Sequence, residues 1–160
     1  TALIDSEQLN DELASLLKRL LLTIDEESIL AEHSRIYLFG GMPISESFCT
    51  GRFDSIADVS AFYSAFGLTP KSGEVPDSIM HELEFMSVLC VKISQAPSQE
   101  TKTISTDAIN KFYTDHLSDF IAKFNEKLLM FKPSEFYMLL IAIMESTIDN
   151  YLQGRKSRIT

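Results

Sequence analysis

Long apolar runs are missing from this 160-residue sequence. The longest nearly uncharged stretch, "FYMLLIAIM" from Phe136 to Met144, falls far short of the roughly 20 residues that a helix needs to cross a bilayer, so no stable membrane insertion is expected. Cationic residues are scarce as well: 14 Lys and Arg stand against 23 Asp and Glu, for a formal net charge of -9 and a pI near 4.7. Phosphate binding needs clustered Lys and Arg to displace counterions, which excludes nucleic acid as a partner and disfavours anionic membrane surfaces. An acidic domain is suited to a basic partner, although acidity also serves solubility. There are two cysteines, Cys49 and Cys90, far apart and without CxxC or Cys/His ligand spacing; they read as reduced structural thiols. The start, "TALIDSEQLNDEL", has no basic region followed by an apolar segment, so no signal peptide is expected and a soluble cytoplasmic protein is the default.

The signatures of catalysis are also absent. "HELEF" at His81 to Phe85 begins like the zinc-protease HExxH, but Phe85 occupies the position of the second ligand one helical turn on. A di-metal carboxylate bundle needs Glu three residues before His. The positions before His33, His81 and His116 hold Leu30, Ser78 and Tyr113. No GxxxxGK, GxGxxG or GxSxG occurs. Asp77 and His81, one turn apart, read as a helix-surface contact. No catalytic residue, metal ligand or cofactor is therefore assigned.

What the sequence does contain is helical periodicity. Leu9, Leu13, Leu16, Leu17, Leu20, Leu21 and Ile24 lie at spacings of three and four, which predicts a helix over Asp5 to Ile24 capped by Asp5 or Ser6. A second is predicted from Asp25 to Leu38, stopped by Gly40 and Gly41. "GGMPISESFCTGR" reads as a long loop. After it, a helix capped by Ser55 carries Ile56, Val59, Phe62, Tyr63 and Phe66 inward and closes at Gly67 and Pro70. Pro76 suits the first turn of the next helix, which runs to about Gln95 with Ile79, Leu83, Met86, Leu89, Cys90 and Ile93 inward. Pro97 to Thr103 reads as loop, and Thr106 to His116, Ser118 to Met130 and Ser134 to Tyr151 continue the helical period. With no sustained β-alternation, the expected fold is all-α: residues 1–160 as a single-domain bundle of six or seven helices.

One segment, "EVPDSIMHELEFM" from Glu74 to Met86, concentrates Glu74, Asp77, Glu82 and Glu84 at a helix start, while Met42, Ile44, Phe48 and Met80 offer adaptable apolar contacts. An acidic rim beside an apolar floor would suit a peptide that is basic at one end and apolar beyond it. Acidic residues in a first turn also stabilise a helix with no partner at all, so both readings stand on composition.

The same segment resembles the signature of the TorD/DmsD/NarJ redox-enzyme maturation chaperones: Glu-Pro-x-Asp-His, an apolar residue, two variable positions, then Glu-Leu-x-Phe and Leu or Met. Glu74, Asp77, Ile79, Glu82, Leu83, Phe85 and Met86 fit in register; Val75 replaces the proline and Ser78 the histidine. "RIYLFGGMPISESF", "VSAFYSAFGL" and "FYTDHLSDFIAKFNEKL" are similar to further family stretches, so the resemblance spans roughly Arg35 to Leu128. It implies a TorD-like all-α fold and a non-enzymatic task in the cytoplasm. That task is to bind the twin-arginine leader or N-terminal segment of a molybdenum-cofactor oxidoreductase subunit and hold it until cofactor insertion and assembly. The resemblance assigns leader binding to Glu46, Phe48, Glu74, Asp77 and Ser78, where Ser78 can hydrogen-bond but not ionise. It leaves open a monomer or a dimer formed by exchanging helices, with "GLTPKSGE" as hinge. Two alternatives of other classes are a small all-α metal- or nucleotide-dependent enzyme and a structural adaptor that binds a folded subunit.

Overall fold

A computed structural model describes residues 11–156 of the chain. The predicted caps Asp5 and Ser6, and Leu9, lie outside the described residues. Among those described, eight α-helices follow one another: α1 (Asp11–Leu22), α2 (Glu26–His33), α3 (Glu46–Thr50), α4 (Ser55–Ala65), α5 (Ile79–Ser94), α6 (Gln99–Phe112), α7 (Ser118–Met130) and α8 (Glu135–Lys156). A π-helical stretch, Ser34–Phe39, continues α2, and a second, Tyr113–Leu117, joins α6 to α7 without a break, which leaves seven continuous helical segments. The described residues form no strand, only one antiparallel bridge between Ser45 and Ser78. The all-α expectation is borne out.

The described residues form two compact units: 11–41 with 128–156, and Met42–Lys127. In the first, α1 packs along α8, and Arg19 Nη2 donates to Glu135 Oε1 at 2.7 Å. Arg35 Nη1 donates to the Phe131 carbonyl at 2.8 Å. The chain leaves this unit through two glycines with different duties. Gly41, at φ 67°, supplies the left-handed turn, whereas Gly40 has an ordinary helical φ. A Cβ on Gly40 would lie 2.6 Å from the Ile36 carbonyl and 2.5 Å from the Phe131 ring, so only glycine fits there.

In the second unit α5 packs on α6 around an aromatic core. Phe85 and Phe112 meet edge to face at 4.8 Å, with Tyr63 at 4.9 Å from Phe85 and Phe62 at 5.2 Å from Phe112. Such edge-on pairs set the positive ring rim against the negative face and add to the area buried.

Four local expectations are corrected. The "GGMPISESFCTGR" loop contains α3, a helix too short to persist alone, which ends at Gly51 with φ 81°. Ser55 does not cap α4; it is the first helical residue, and its Oγ donates back to the Arg52 carbonyl at 2.8 Å. Helix α5 starts at Ile79 rather than at Pro76, because Ser78 in extended geometry is its N-cap. Helix α6 starts inside the predicted polar loop: Ser98 Oγ accepts from the Thr101 N–H at 3.2 Å and caps a first turn that carries no apolar signal.

Candidate functional site

Helices α3 and α5 begin side by side because their leading segments are tied together. The Glu46 N–H donates to the Asp77 carbonyl at 2.7 Å, and the Ile79 N–H to the Ile44 carbonyl at 2.8 Å. Asp77 then does for α3 what its own cap residue does not. Ser45 makes no side-chain cap bond, and Asp77 Oδ2 accepts from the Ser47 N–H at 2.9 Å. A carboxylate at a helix start also meets the positive end of its dipole. Asp77 is fully buried; this bond takes its Oδ2, and its Oδ1 has no hydrogen-bond partner. Ile44 to Ser47 and Asp77 to Ile79 are therefore zipped together.

Behind the joint lies a buried polar cluster. Glu46 is inaccessible to solvent; its Oε2 meets His116 Nδ1 at 2.9 Å. Its Oε1 faces Arg52 Nη1 at 3.6 Å, and the same Arg52 nitrogen donates to the Asp115 carbonyl at 2.8 Å. His116 sits in the π-helical stretch, where a widened turn often marks a functional position. Its ring lies 5.0 Å from that of Phe112, and its Nε2 is 3.8 Å from Asp58 Oδ2, too long for a hydrogen bond.

Glu82, also wholly buried, meets no donor. Burial, and then the negative charges of Glu46 and Asp77, push its pKa up to about 9, so at neutral pH it keeps its proton beside the Glu46 carboxylate. Burial likewise raises the Tyr63 phenol, whose hydroxyl donates to the Pro76 carbonyl at 2.9 Å. The Cys49 thiol is pushed up to about 11, chiefly by burial, and is unreactive as a nucleophile.

Ser78 is buried as the N-cap of α5. Its Oγ accepts from the His81 N–H at 3.3 Å and lies 2.7 Å from His81 Nδ1. That ring nitrogen is also 3.0 Å from the Val75 carbonyl, which can only accept, so the proton sits on Nδ1 and Nε2 is left facing Glu74 Oε2 at 3.6 Å. An imidazole thus stands one turn beyond the position where Ser78 replaces the signature histidine.

Of the residues assigned to leader binding, Glu46, Asp77 and Ser78 are interior, while Phe48 and Glu74 reach the surface. Phe48 is 66% exposed on the outer side of α3 and stacks edge to face on Phe53 at 5.6 Å. Met80, at the start of α5, is 73% exposed. The same unit holds a cavity of about 220 Å³, walled by Tyr63, Leu68, Phe85 and Val88, with Glu74, His81 and Glu84 on its polar side. Among the described residues no three His, Cys, Asp or Glu side chains group so as to hold a metal ion.

Sequence reasoning missed His116 and Arg52, and it placed Glu82 on an outer rim. The last error had a signal: Ile79, Glu82, Met86 and Leu89 lie at spacings of three, four and three, on one helical face. For His116 the signal was "FYTDHLSDF", a stretch shared with the chaperones but given no role.

The chain matches the nitrate reductase delta subunit family over residues 6–126, more than half its length. It belongs to that family. These are the redox-enzyme maturation chaperones that the motifs resemble, and they are not enzymes. A perchlorate reductase assembly chaperone protein from Dechloromonas aromatica (strain RCB) is 29% identical over 126 residues, covering 72% of this chain and 52% of that protein. The chain thus spans about half the length of the curated relative it matches. No solved structure matches it.

Proposed function

We propose that the protein is a cytoplasmic assembly chaperone. It binds the twin-arginine leader or N-terminal segment of a molybdenum-cofactor oxidoreductase subunit and holds it until cofactor insertion. Family membership and the name of the relative from Dechloromonas aromatica support the class of task. Among the described residues no helix is long and apolar enough to cross a membrane, which fits work on a client before export.

The observation that carries the reading is the exposed Phe48. A short helix presents an aromatic side chain to water while its other face is fastened by Asp77, Glu46 and His116. Phe48 and Phe53 form an exposed aromatic pair, and a partner that covers it gains the apolar area buried. In this reading Phe48, Phe53 and Met80 take the apolar part of the client, and the buried carboxylates position the joint rather than touch the client. Ordering a disordered leader offsets part of the contact energy, so binding is reversible, as release requires.

The test is calorimetric titration with a synthetic twin-arginine leader peptide. Phe48→Ala should lose roughly 2 kcal/mol, about thirtyfold in Kd, from lost apolar burial, with an unchanged circular dichroism spectrum. Equal affinity for the variant and the parent would overturn the reading.

A further inference from the structure

The segment from Glu74 to Met86 carries four carboxylates, and the fold separates them into two pairs. Asp77 and Glu82 are interior and closed to solvent, Asp77 Oδ2 accepting from the Ser47 N–H. Glu74 and Glu84 are exposed and line the same cavity. Glu74 is held in place: its Oε2 accepts from the Lys71 N–H at 2.8 Å and faces His81 Nε2. Glu84 has no hydrogen-bond or ion-pair partner among the described residues. An unpaired carboxylate therefore opens onto a cavity whose other walls are the aromatic and aliphatic side chains of Tyr63, Phe85, Leu68 and Val88.

The size and the charge of the cavity define what enters it. At about 220 Å³ it is smaller than the roughly 300–1,000 Å³ of sites that enclose a whole small molecule, which points to a single side chain. Lys71 also lines it. Two carboxylates against one ammonium leave an excess of negative charge when His81 is neutral. A guanidinium meets these conditions better than an ammonium: its planar fork can address two carboxylates, its stem is apolar, and its face stacks on aromatic rings. We propose that this cavity is the receptor for one arginine side chain of the client, with Glu74 and Glu84 as its carboxylate partners and the Lys71 N–H holding Glu74 in position. The inference rests on the leader-binding reading and moves the selection of arginine away from Asp77, which is buried.

The test uses two synthetic peptides, one with an arginine pair before an apolar run and one with both arginines replaced by citrulline, the neutral isostere. Each is titrated into the parent protein and into the double variant Glu74→Gln, Glu84→Gln, whose exposed positions leave the fold intact by circular dichroism. Ethylguanidinium is added in parallel while the Leu68 and Val88 methyl resonances are followed by NMR. The expected result is that the double variant binds the arginine peptide at least about tenfold more weakly and the citrulline peptide as the parent does. If the arginine peptide keeps its full advantage over citrulline in the double variant, the cavity is not the arginine site, and leader binding stands without it. If neither peptide binds the parent protein, the leader reading fails and ethylguanidinium decides the cavity. Methyl shifts that vanish in the double variant would uphold it as a guanidinium site, and no shifts would overturn it.

Discussion

Replacing Glu82 by Gln should change the dependence of stability on pH more than stability itself. In the native state burial beside Glu46 and Asp77 raises the Glu82 carboxyl from 4.5 to about 9. In the unfolded chain it titrates as an ordinary carboxyl. Across the window between those values the folded protein holds a proton that the unfolded chain has released, so each rise in pH favours unfolding. The contribution is fully present below 4.5 and is lost as pH climbs through about 9. A fully expressed shift corresponds to about 1.4 kcal/mol for each pH unit. Between about pH 5 and pH 8 that bounds the effect near ~4 kcal/mol, and relaxation of the charged form brings the expected figure to roughly 2 kcal/mol.

Glutamine keeps the shape of the side chain, but it releases no proton. The two proteins share every other titrating group, so subtracting their urea midpoints isolates position 82. With an m value of about 2 kcal/mol per molar urea, the midpoint of Glu82→Gln should gain roughly 1 M on that of the parent between about pH 5 and pH 8. A midpoint difference that stays constant over this range would refute a protonated Glu82.

His116→Ala removes the partner of a carboxylate with no access to water and should cost roughly 3 kcal/mol in urea unfolding, with His116→Gln recovering part of the loss; a cost below about 1 kcal/mol would show that the pair is dispensable. Ser78→Ala deletes the N-cap of α5 and the contact to His81 and should cost about 1 kcal/mol by thermal or urea unfolding; an unchanged midpoint would show that water replaces the cap.

Much of the fold is legible because helical spacing is a local property. Apolar residues three and four apart place α1, α4, α5 and α8 within a few residues of where they lie. Helix α3 escapes this reading, since a helix of five residues is little more than one turn and shows no period. The start of α6 escapes it because its first turn, Gln99 to Lys102, is polar and is recognisable only by the cap at Ser98. The candidate site is legible in part. The motif residues mark the segment where α3 and α5 are joined, but residue type alone makes every carboxylate look like a rim residue. Charged groups are rarely fully buried unless paired, and the pairs here are remote: Ser47 with Asp77 across 30 residues, and Glu46 with His116 across 70.

The sequence by itself determined that the chain is helical, that it carries the motifs of the maturation chaperones, and that its acidity suits a cationic partner. Tertiary structure alone decided which acids meet water. Helical periodicity and composition act over a few residues, whereas the burial of a carboxylate depends on a donor brought from a distant segment. Closing the joint between Ser45 and Ser78 puts Glu46, Asp77 and Glu82 inside and leaves Phe48, Glu74 and Glu84 at the surface.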